Sequence, residues 1–161
     1  MRRKDREVLD QAELEEIIGR CDCIHLGLMD GEWPYVVPLN FGVLRNHGTF
    51  VFYMHGALAG KKLELIQGSD HAAFCMDTEH QILRGASGCE WSYGYESVMG
   101  RGRIALVKEP VEKRLALACI LRHYGGDDAV NTMPEQTLAH TAVIRLTVES
   151  ISGKKNLEKG F

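Results

Sequence analysis

No apolar run in this chain approaches the about 20 residues that a membrane-crossing helix needs. The charged start, Met1-Arg2-Arg3-Lys4-Asp5-Arg6-Glu7, is followed by no apolar stretch of the secretory-signal kind. A cytoplasmic location without a membrane partner is therefore expected. A basic excess is also missing: 19 Lys and Arg stand against 22 Asp and Glu, a formal net charge of -3. That balance argues against nucleic acid as a partner, since phosphate backbones call for a strongly basic face. None of the five cysteines (Cys21, Cys23, Cys75, Cys89, Cys119) forms a CxxC pair. No metal is expected, and the thiols read as reduced and mostly buried. Gly-x-Ser-x-Gly, His-Glu-x-x-His and Gly-x-Gly-x-x-Gly patterns are all absent. Serine hydrolase, zinc protease and Rossmann dehydrogenase readings thereby lose their usual support.

What is present suits one globular domain over 1–161, with 45% hydrophobic residues and loose tails expected at 1–10 and 154–161. Asp10-Gln11-Ala12-Glu13 is a capping-box pattern, and Leu14, Ile17 and Ile18 follow at helical spacing, so a helix is expected over 11–18. Strands are expected at 23–29, 33–43 and 49–54, joined by turns at Asp30-Gly31 and at Arg45-Asn46-His47-Gly48. A second helix is expected over 57–67 and a fourth strand over 72–76. The glycine-bearing stretch 78–92 reads as a loop and 93–107 as a fifth strand. Pro110 opens a third helix that ends at Gly125-Gly126. A short helix follows up to about His140, and 142–151 alternates as a last strand. Six strands in meanders and about four helices argue for a mainly β, antiparallel barrel with peripheral helices.

Three segments carry residue types suited to chemistry. In Tyr53-Met54-His55-Gly56-Ala57-Leu58-Ala59-Gly60-Lys61-Lys62 a strand gives way to a helix through small residues. Free N–H groups at a helix start, with Lys61 and Lys62 beside them, suit a phosphate. The same residues also read as a plain loop with two solvated lysines, and spacing leaves both readings open. His55 stands just before that loop. Pro38 and Asn40 interrupt an apolar strand, as a bulged edge or as a place where a planar ligand meets the backbone. Ser97, Val98 and Arg101 lie among Gly100 and Gly102 in a further strand, where a glycine-kinked barrel strand is the plainer reading.

Taken together, MRRKDREV at 1–8, PYVVPLNFG at 34–42 and FYMHGALAGKKLELI at 52–66 resemble the 5-nitroimidazole resistance (Nim-type) proteins. These belong to the pyridoxamine 5′-phosphate oxidase-like FMN-binding superfamily. Cys89 and the pattern Tyr95-x-Ser97-Val98-x-Gly100-x-Gly102 are weaker echoes. The resemblance runs over about residues 1–153. It implies a split β-barrel that works as a homodimer, with FMN in two symmetric clefts between subunits. It implies that Val37, Pro38, Leu39 and Asn40 line the flavin ring. His55 would stand near the reactive face, Gly60, Lys61 and Lys62 at the phosphate, and Ser97 and Val98 on the strand that completes the cleft. The oxidase's own Arg-x-Val-Leu-Leu-Lys run and Ser-Arg-Lys box are absent here, so pyridoxamine phosphate oxidation is not expected.

The expected activity is an FMN-dependent reduction of a small electron-poor, nitroaromatic-like substrate, with His55 as the catalytic group. The alternatives are a flavin- or haem-binding sensor without turnover, and a member of the same fold that takes a deazaflavin.

Overall fold

The computed structural model describes residues 3–127 and 132–156. Among these, eight strands and four α-helices follow one another: β1 (Glu7–Val8), α1 (Gln11–Arg20), β2 (Ile24–Asp30), β3 (Trp33–Leu39), β4 (Phe41–Asn46), β5 (Thr49–Gly56), α2 (Lys61–Gly68), β6 (His71–Leu83), β7 (Ser92–Leu106), α3 (Pro110–His123), α4 (Glu135–Ala139) and β8 (Ala142–Asn156). The helix expected at 11–18 forms for the reason its sequence gives. The Asp10 side chain accepts the Glu13 backbone N–H at 2.9 Å, and Leu14, Ile17 and Ile18 are its buried face. None of the described helices is long and apolar enough to cross a membrane.

All strands lie in one antiparallel sheet, in the order β3-β2-β6-β7-β8-β5-β4, with β1 added to β8. The two ends of that path, β3 and β4, are neighbours in sequence with only Asn40 between them. The sheet therefore curls round until its two edge strands meet at one residue, and no ladder forms between them. This is an open, split barrel rather than a closed one. The inward side chains of its strands, with Leu14, Ile17 and Ile18 of α1 and Leu63 and Ile66 of α2, make the main core. A second, smaller core lies outside the sheet, where α3 covers Val51, Tyr53 and Val143. The helix backbone comes so close that a Cβ on Gly42 would stand 2.5 Å from the Cys119 carbonyl carbon.

Four expectations are corrected. The strand expected over 33–43 is two strands, because the chain leaves one sheet edge at Leu39 and joins the other at Phe41. The stretch 78–92 is not a loop throughout: β6 and β7 continue as a two-stranded arm, pairing Gln81 with Gly94 and Leu83 with Ser92. Its residues Asp77 to Gln81 are polar on both faces, so no alternation marked them as strand. The helix expected from 57 starts only at Lys61, since Gly60 before it takes φ 131, outside helical geometry. The termini are also less loose than expected. Glu7 and Val8 pair with Lys154 and Gly153, Val8 is fully buried, and β8 runs to Asn156. The rest of the second tail, 157–161, lies outside the described residues, as do residues 1 and 2.

Candidate functional site

The split beside Asn40 gathers most of the candidate residues. β3 has a partner on one side only, β2, so its other edge is free. Pro34 and Pro38 fit a paired strand only with the missing N–H facing away from the partner. Both therefore turn that side to the free edge, and Val36 keeps the N–H that lies between them. On the barrel side Tyr35, Val37 and Leu39 are half-buried against the core. Asn40 is exposed, and its side-chain amide has no hydrogen-bond partner among the described residues.

β4 and β5 bring His55 to the same place. Phe41 pairs with Met54, and one further step in that register sets Asn40 beside His55. Partial desolvation, and next the Lys62 ammonium, hold the His55 imidazole below its ordinary value. The ring is thus biased towards its neutral form. Lys62 itself lies along Gly56, where an added Cβ would stand 3.0 Å from its Nζ.

The two lysines are not equivalent. Lys61 Nζ forms an ion pair with Asp30 Oδ1 at 2.7 Å, and the hydrogen bond to that carboxylate raises its pKa. Tyr35 also acts on Lys61 electrostatically. Lys62 has no carboxylate partner among the described residues. No side chain caps α2, although Leu63 returns its N–H to the Gly60 carbonyl at 2.9 Å. The first turn of α2 and Lys62 thus offer positive potential to an anion, while Lys61 is held by Asp30. Sequence reasoning missed Asp30 and Tyr35. Asp30 had the look of a turn residue, and only the fold shows its carboxylate beside Lys61.

Ser97 and Val98 stand elsewhere. β7 is three strands from β3 in the sheet. The Val98 side chain is fully buried in the main core. Ser97 donates from Oγ to the Lys154 carbonyl at 3.4 Å and shares the outer face of β7 with Met99 and Arg101. Within one protomer they do not join the split. That outer face holds a shallow apolar groove of about 520 Å³, lined among others by His25, Gly27, Val36, Ala73, Met99 and Arg101.

A family model described as pyridoxamine 5′-phosphate oxidase matches residues 10–155. The chain belongs to that family. Its fold is the flavin-binding split barrel of the pyridoxamine 5′-phosphate oxidase family. Among solved structures it is similar to a candidate 5-nitroimidazole antibiotic resistance protein of Bacteroides thetaiotaomicron. The two are 30% identical over 92% of this chain and 86% of that one, with a TM-score of 0.79. A flavocytochrome of Azotobacter vinelandii shares the fold at 21% identity, over 98% of this chain and 72% of that one, with a TM-score of 0.82. A FAD- and haem-binding protein of Mycobacterium smegmatis does so at 18% identity, over 97% and 75%, with a TM-score of 0.80. No curated protein matches the chain.

The residues at the split fit a flavin nucleotide. An uncapped helix start with an unpaired ammonium suits its phosphate. A half-buried apolar strand beside the free side-chain amide of Asn40 suits a flat ring with polar edges.

Proposed function

We propose that this protein binds FMN at the split of its barrel and works as an FMN-dependent reductase of small electron-poor acceptors, nitroaromatic compounds among them. The observation that carries this reading is the convergence of Asn40, His55 and an unpaired Lys62 on one uncapped helix start. The family and the 30% identical relative support it.

When bound, FMN supplies hydride and electron transfer, and the protein supplies binding and electrostatics. Lys62 and the first N–H groups of α2 hold the phosphate. Val37, Pro38 and Leu39 offer an apolar wall to the ring, and Asn40 offers its side-chain amide to the ring's polar edge. His55, biased towards its neutral form, orients the acceptor through a ring nitrogen. Where it carries a proton, it can donate that proton to an acceptor that gains negative charge. A homodimer completes the reading. Ser97 reaches a flavin only from a second copy, and the groove on the outer face of β2, β6 and β7 is the surface that would meet that copy.

The visible absorption spectrum of the purified protein, followed by titration with FMN under fluorescence, tests the proposal. A yellow protein, or saturable quenching of added FMN, is expected. Loss of one charge-assisted contact is worth about 1.5–3 kcal/mol. Lys62→Ala should therefore weaken FMN binding by about tenfold or more, and Lys61→Ala by less, because Asp30 already engages that ammonium. A colourless protein that leaves FMN fluorescence unchanged overturns the reading. A haem-type band instead would assign the site to haem.

A further inference from the structure

The far end of α3 grips the Asn40 corner through several groups. Phe41 donates its backbone N–H to the Tyr124 hydroxyl at 3.2 Å. That hydroxyl donates in turn to the Asp22 carbonyl at 2.7 Å, just before β2. The neighbouring His123 ring lies on Phe41 with centroids 4.2 Å apart, and its Nε2 donates to the Cys21 carbonyl at 2.8 Å. Two residues further along β4, Cys119 Sγ donates to the Val43 carbonyl at 3.2 Å. One helix end therefore joins the first residues of β4 to the link between α1 and β2.

The Tyr124 hydroxyl is the part of this grip that reaches the corner itself. The peptide it holds is the one between Asn40 and Phe41. That peptide is trans, so its N–H and C=O point opposite ways. Fixing the Phe41 N–H fixes the Asn40 carbonyl towards β5 as well, and with it the backbone from which the Asn40 side chain projects. A hydroxyl is needed because it accepts one hydrogen bond and donates another. Phenylalanine in its place would keep the ring and leave both the Phe41 N–H and the Asp22 carbonyl without that partner.

We propose that Tyr124 is a positioning residue for the flavin ring site: its hydroxyl holds the Asn40–Phe41 peptide and so presents the unpartnered side-chain amide of Asn40 to the ligand. This rests on the flavin reading given above. Tyr124 touches neither cofactor nor substrate and acts only through Asn40.

Tyr124→Phe tests it with two readouts. In the cofactor-free protein, amide hydrogen exchange at Phe41 is expected to rise about fivefold, the loss of one ordinary hydrogen bond. In the FMN titration, the variant is expected to bind about fivefold more weakly and to shift the absorption band of the bound flavin. Tyr53→Phe is the control. Its hydroxyl donates to Glu112 Oε1 at 3.1 Å at the opposite end of α3. This variant should lower the thermal midpoint while FMN affinity and spectrum stay unchanged. A Tyr124→Phe protein that binds FMN as tightly as wild type, with the same spectrum, overturns the role of Tyr124 alone. The same affinity loss in the Tyr53→Phe control also overturns it, because general loosening of α3 would then explain the effect. A wild-type protein that does not bind FMN overturns the flavin reading and this role with it.

Discussion

The outer surface of the sheet has two halves with opposite fates. Over β4, β5 and the first part of β8, α3 lies directly on the strands, and Val51, Tyr53 and Val143 are buried. Over β3, β2, β6, β7 and the rest of β8, the described residues include no covering helix, and Val36 and Met99 remain 60% and 44% exposed. The halves meet near a bulge where Glu149, between Val148 and Ser150, has no residue opposite it on β7. The strand alternation is the same on both sides, so what decides burial is the element laid on top. The covered half is finished within one chain. The bare half combines exposed apolar side chains with the small residues Gly27 and Ala73, which leave a shallow groove for another surface.

Substitution can break this contrast, and the largest effect belongs on the covered half. Gly42→Val puts side-chain carbon where the Cys119 and Ile120 backbone already stands. It should cost about 3 kcal/mol of stability in urea unfolding. Met99→Glu on the bare half should cost less than about 1 kcal/mol in the same experiment, yet abolish self-association in sedimentation. Equal stability losses for the two variants would erase the distinction between the halves. Asp30→Asn sharpens the picture at the split. It frees Lys61 from its ion pair, and FMN affinity should rise by about two- to fivefold, a small gain because solvent screens an exposed pair. The smallest effect is a pH dependence. In the fold the His55 pKa lies below its ordinary 6.5, so the unfolded chain binds its proton more readily. Its contribution to stability is complete above 6.5 and declines as pH falls through the window below. Urea midpoints of His55→Gln should show a shallower acid-side decline than wild type.

Much of this architecture was legible. The Asp10 cap, the Leu14, Ile17 and Ile18 stripe, the Asp30-Gly31 hairpin and the Pro110 helix start all rest on local chemistry, and all form. The illegible parts depend on distant partners. Nothing local in Leu39-Asn40-Phe41 says that the chain crosses there from one sheet edge to the other. The polar arm at Thr78 to Leu83 becomes strand only because β7 runs alongside it. At the candidate site, Asn40, His55 and Lys62 could be named from the sequence, and the fold brings them to one corner. The different standing of Lys61 could not be read. It depends on Asp30, at the far end of another strand, as the corner depends on Tyr124 at the end of α3.

The last strand of the chain is also one of the most central. β8 is flanked by β5 and β7 and also pairs with β1, so residues 7 and 8 find their partners only at 153 and 154. During synthesis the ribosome releases β5 and β7 long before the strand that belongs between them. Until residue 156 has emerged, the nascent chain carries two unpaired strand edges, the kind of surface that chaperones cover and that otherwise aggregates. Completion of this barrel therefore waits until β8 has left the ribosome.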